Sequence, residues 1–139
     1  MESDGQLDKL KDALKDQGVR YCLPSYVDIH GVSKSKFVPI EHFDRMMAGS
    51  ELCTGAALDG VPQEVNDEEV SSRPDPASAI VLPWRKDVAW FASDLWSEGK
   101  PFEPCSRNIF KRVLEQAATM GYTFNFGIEP EFFLLKQAE

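Results

Sequence analysis

Glu129 and Glu131 stand two residues apart in Gly127-Ile128-Glu129-Pro130-Glu131-Phe132-Phe133-Leu134-Leu135, an apolar run of strand-like character. On an extended strand, residues i and i+2 share a face, which sets the bases of these two side chains about 7 Å apart. Two flexible carboxylates at that spacing can each reach one of a pair of metal ions roughly 4 Å apart. Hard oxygen donors of this kind suit Mg²⁺ or Mn²⁺. Spacing alone fits a plainer arrangement better, in which two exposed glutamates alternate with buried apolar residues.

The elements that must position these carboxylates are partly readable from pattern. Ser3 and Gln6 have capping-box spacing ahead of Leu7, Leu10 and Leu14, and Gly18 offers a stop, so a helix is predicted over residues 4–17. Val19 to Ile29 is β-rich, His30-Gly31 offers a turn, and Val32 to Val38 completes a hairpin with one wet face. Asp28, His30 and Gly31 suit ordinary turn chemistry better than a catalytic Asp/His pair. Pro39 opens a short helix bearing Ile40, Phe43 and Met47, with Gly49 as its stop.

Residues 50–78 follow neither hydrophobic period and read as a long loop, of the sort that is a lid, a binding segment or disordered. Two strands follow, Ala79–Trp84 and Val88–Ser93, joined by the polar turn Arg85-Lys86-Asp87. Ser106 is the expected cap of a helix carrying Ile109, Phe110, Val113, Leu114 and Ala117, which Gly121 ends. A last strand from Tyr122 to about Leu135 carries the two glutamates. Trp84, Trp90 and Trp96 read as core or subunit packing. Arg107 reads as a residue of a helix start or domain interface.

The mixture of helices and strands, without a βαβ rhythm, predicts an α+β fold. Of the 139 residues, 42% are hydrophobic, enough to build a core, and the net charge of −8 argues against nucleic acid as a partner. No apolar run approaches a membrane span and the first residues are acidic, so neither a membrane partner nor a signal peptide is expected, and the cytoplasm is the expected location. Cys22, Cys53 and Cys105 are widely spaced, which points to reduced thiols.

The segment Gly127 to Leu135 resembles the G-x-E-P-E-F-x-L stretch that opens the catalytic domain of the glutamine synthetase superfamily. Tyr26-Val27-Asp28-Ile29-His30-Gly31 is similar to the first hairpin of that family, and Arg73-Pro74-Asp75-Pro76-Ala77-Ser78 to its M-P-D-x-S/T segment. Arg107 to Arg112 resembles the family's P-R-x-x-L-K-R helix start, with Cys105-Ser106 where proline is usual. The order and distances of these pieces match as well, so the resemblance covers nearly the whole chain. It implies a β-grasp amino-terminal domain over residues 1–103 and the first helix and strand of a catalytic domain over 104–139, with Gly99 to Pro104 as a proline-marked linker.

The resemblance further implies an ATP-dependent ligase that phosphorylates the γ-carboxylate of glutamate and lets ammonia or another amine attack the acyl phosphate. Glu131 would bind the metal nearer glutamate and amine, Glu129 the metal on the nucleotide side. Family members that use ammonia carry F-D-G-S-S where this chain has Cys53-Thr54-Gly55-Ala56-Ala57, so Thr54 or Gly55 occupies the aspartate position of the amine site. That segment, with Leu82 to Trp90, is closer to the branch of type III, GlnT-like glutamate-ammonia ligases and γ-glutamylmethylamide synthetases, which leaves two readings open: a small alkylamine as acceptor, or a plain small-residue turn at Thr54 to Ala57 with another residue handling ammonium. A homo-oligomer with active sites between subunits is also implied. Because the family's other site residues lie beyond Glu139, the chain reads as a fragment expected to be inactive alone. The competing reading is a non-catalytic oligomerisation or regulatory module derived from the amino-terminal domain.

Overall fold

The computed structural model describes residues 2–136, and the side chains from Gly5 to Lys136. Helix α1 spans Glu2–Asp16, so Ser3 lies within it rather than at its cap. Gly18, at φ +84°, closes the helix: its N–H donates to the Lys15 carbonyl and that of Val19 to Leu14, the paired bonds of a Schellman motif. The chain then runs through β1 (Tyr21–Val27), β2 (Ser33–Ser35), β3 (Val38–Pro39), a 3₁₀ turn at Ile40–His42 and α2 (Phe43–Met47). It continues with β4 (Glu51–Cys53), β5 (Val70–Pro74), β6 (Ile80–Leu82), β7 (Arg85–Ser97), β8 (Lys100–Pro101) and α3 (Ser106–Thr119).

The eight strands form one sheet whose main path is β2-β1-β7-β5-β4. β1 runs parallel to β7, with Cys22 opposite Ala89 and Pro24 opposite Phe91, while the other pairs are antiparallel. β2 and β4 terminate this path at opposite ends. Even so, Lys36 Nζ donates to the Leu52 carbonyl at 2.5 Å, so the sheet curls until its ends nearly meet. Alternate residues of β1, β7 and β5 bury a single face, in accord with the two-residue period of a strand. At one end of that face Leu14, Phe43 and Met46 pack on Cys22, Ala89 and Phe91. At the other end Tyr26, Val70, Leu95 and Cys105 form a second cluster, with Phe102 and Leu58 against it.

Four sequence expectations are corrected. Residues 50–78 are not one loop: β4 and β5 pair within them, and β5 enters the middle of the sheet between β4 and β7. The turn before β7 falls at Pro83-Trp84, which puts Arg85, Lys86 and Asp87 inside the strand and leaves Trp84 80% exposed rather than in the core. Cys105, not Ser106, is the residue before α3; Ser106 Oγ donates to the Val27 carbonyl instead and ties the helix to β1. Residues 122–136 form no strand. A strand draws its stability from a neighbour's ladder, and this segment has none to pair with among the described residues.

Candidate functional site

Two places in the fold carry the residues singled out by chemistry or by resemblance, and the first is the mouth of the β4–β5 hairpin. Cys53 pairs with Val70, so the next residues outward, Thr54 and Glu69, face each other across the mouth. Thr54 Oγ1 donates to Glu69 Oε1 at 3.3 Å. Gly55 starts a 3₁₀ turn, Gly55–Ala57, and is buried beneath the Gln63 side chain. A Cβ at position 55 would fall 1.6 Å from Gln63 Oε1, so the turn has room for glycine alone unless Gln63 swings away. Gln63 Nε2 in turn donates to the Glu68 carbonyl at 3.1 Å, tying the glycine side of the mouth to the glutamate side.

The hairpin loop is also docked on the β1–β2 turn. His30 Nε2 meets Asp59 Oδ2 at 2.9 Å, and Gly60, at φ +76°, packs so closely on Ile29 that a Cβ there would lie 2.7 Å from Ile29 Cδ1. Asp28 organises the turn itself. Its Oδ1 accepts the backbone N–H groups of His30 and Val32, each at 2.9 Å, and its Oδ2 lies 3.3 Å from Lys34. The Val32 N–H above all, then that of His30 and the Lys34 charge, holds the Asp28 carboxyl below its ordinary range. Asp28 and His30 thus act in the turn and in loop docking, as turn chemistry suggests. Behind the mouth, burial pushes the Tyr26 phenol and the Cys53 thiol up from their ordinary values.

The second place is the segment bearing Glu129 and Glu131. Both carboxylates are exposed, as are Ile128 (87%) and Phe132 (82%) beside them. Phe126 touches Phe110 of α3 edge-on at 5.7 Å and so anchors the start of the segment. Oxygen donors at these positions fit a hard divalent cation. Among the described residues no group of three or more His, Cys, Asp or Glu side chains gathers around an ion position. The hairpin mouth and the glutamate segment are not brought into one pocket by any contact among the described residues.

Arg107 has a defined role that spacing did not reveal. Its Nε donates to Asp94 at 2.8 Å and its terminal nitrogen to Asp75 at 2.5 Å, and Lys111 also reaches Asp94. The cluster clamps α3 to β7 and to the Asp75 turn. There Asp75 Oδ1 accepts the Ala77 N–H, and Ser78 Oγ accepts the Ala92 N–H at 2.8 Å. The Asp75 to Ser78 motif is therefore a brace for the sheet.

The family description "Glutamine synthetase, catalytic domain" matches residues 103–139. The chain is 37% identical over 127 residues to the glutamate–methylamine ligase of Methyloversatilis universalis, covering 91% of this chain and 29% of that protein. It is also 37% identical over 123 residues to a glutamine synthetase of Rhizobium leguminosarum bv. phaseoli, covering 87% of this chain and 28% of that one. Among solved structures it is similar to a GmaS/ADP complex, with a TM-score of 0.75 and 32% identity over 80% of this chain and 26% of that chain. The chain thus spans under a third of the length of the curated relatives it matches.

Proposed function

The chain matches the glutamine synthetase superfamily on its GlnT-like branch, and from that match we propose that its protein is an ATP-dependent ligase joining glutamate to ammonia or a small alkylamine. The observation that carries the reading is the 37% identity to a glutamate–methylamine ligase over 91% of this chain. In this reading the γ-carboxylate of glutamate takes the terminal phosphoryl group of ATP, and ADP leaves. The amine nitrogen then attacks the acyl carbon, phosphate departs with the bonding pair, and the amine gives up a proton. Glu131 would hold the divalent cation on the glutamate and amine side and Glu129 the one on the nucleotide side, and such ions would supply positive charge to offset that of the phosphates. Thr54 and Gly55 stand at the amine position.

The same reading divides the chain into a β-grasp domain, residues 1–103, and the start of a catalytic domain, residues 104–139. It makes the protein a cytoplasmic homo-oligomer whose active sites lie between subunits. The glutamate segment, without a paired strand among the described residues, offers too few ligands for the reaction, so activity is expected of the protein expressed from its complete reading frame. That protein should form a γ-glutamyl amide from glutamate, ATP and methylamine or ammonia. Glu131→Gln, which keeps the shape and removes the charge facing the cation, should abolish turnover. No amide with either amine, or a near-normal rate in Glu131→Gln, would overturn the reading.

A further inference from the structure

We propose that Glu69 supplies the carboxylate that reads the amine, held in position by the Thr54 hydroxyl. The inference rests on the ligase reading and on the amine position at the β4–β5 mouth. Cys53 to Ala57 contains no charge, and a small ammonium ion is retained by a nearby anion far better than by neutral groups. The sheet register provides that anion from across the hairpin: Cys53 opposite Val70 fixes Thr54 opposite Glu69, and the 3.3 Å hydrogen bond binds only one carboxylate oxygen. Glu69 itself is exposed.

Of the other four acids of the loop, Asp59, Glu64, Asp67 and Glu68, two have side chains engaged elsewhere. Asp59 is engaged by His30, and Asp67 Oδ2 accepts the Glu64 N–H at 2.8 Å. Glu69 has no ion-pair partner among the described residues. Lys36, which lies near the same Cys53 thiol, directs its ammonium to the Leu52 carbonyl. The Gly55–Gln63–Glu68 linkage holds both sides of the mouth as one unit, so the carboxylate is presented from a fixed base. A charge carried by the residue just before β5 leaves the Thr54 side small and neutral. The ligand class that suits this arrangement is a primary ammonium with a short alkyl group.

The test is steady-state kinetics on the protein expressed from its complete reading frame. Glu69→Gln should raise the KM for methylamine about tenfold, as expected for loss of a charge-assisted hydrogen bond, while the KM values for glutamate and ATP stay unchanged. Glu69→Asp should recover part of the loss, and Thr54→Val should shift the amine KM in the same direction by less. Glu68→Gln removes a neighbouring charge and should leave the amine KM as in wild type. An active wild type whose amine KM is unmoved by Glu69→Gln, or moved equally by Glu68→Gln, overturns this inference and leaves the ligase reading standing. A wild type that forms no γ-glutamyl amide overturns both.

Discussion

Cys22, Cys53 and Cys105 carry one functional group in three surroundings. Cys22 is fully buried against Ala89 and its thiol is pushed up to about 11 by loss of solvent; Cys105 is buried and its sulfur accepts the Leu95 N–H. Cys53 is half-exposed at the hairpin mouth. Since the thiolate is the reacting species, a thiol reagent at neutral pH should modify Cys53 first and reach Cys22 and Cys105 only on unfolding. Mass spectrometry of partly labelled protein checks this order, and early labelling of Cys22 would contradict the packing. At this scale the sequence singled out Glu129 and Glu131 by type and spacing, and the structure leaves both exposed. Sequence did not single out Glu69, whose meaning comes from a residue fifteen positions away that only the strand register brings near.

Among the elements, α3 depends most on a single polar side chain. Asn108 is buried, and its Nδ2 donates to the carbonyls of Leu95 at 2.8 Å and Phe102 at 3.0 Å, which fastens the helix to β7 and to the chain after β8. Asn108→Ala should cost about 1–3 kcal/mol, the range for leaving buried polar groups without partners, read as a lower denaturation midpoint with little change of slope. Elements with a strong period were legible in sequence: α1, the β1–β2 hairpin and the α2 region fall where their apolar spacing and glycines put them. β5 was not, because Val70-Ser71-Ser72-Arg73-Pro74 alternates burial with serines in place of β-branched residues. The face of α3 was legible as a stripe but not in its setting, for Ile109, Phe110 and Val113 remain exposed. Its inward anchor, Asn108, carries no apolar signal.

At the scale of the molecule, a mixed helix-and-sheet fold followed from the pattern of elements, whereas the curl of the sheet rests on contacts such as Lys36 to Leu52 that no local pattern encodes. The sheet and residues 122–136 also differ in how firmly they are held. The latter have exposed aromatic side chains and no strand pairing, with Phe124 and Phe126 stacked on each other near Phe110. Chymotrypsin should therefore cut this 139-residue chain first beyond Gly127, at Phe132 or Phe133, and leave the sheet whole; a first cut between Gly55 and Glu69 would contradict the docking of that loop. The parallel pairing of β1 with β7 also has a bearing on synthesis. On the ribosome β1 emerges early, yet the strand beside which it must lie is made only after α2, β4, β5 and β6. At a translation speed of ~5–20 residues per second, β1 spends several seconds with only the β2–β3 side of its ladder available. Arrival of β7 closes the centre of the sheet and both halves of its buried face in one step, so the nascent chain reaches its fold late and all at once.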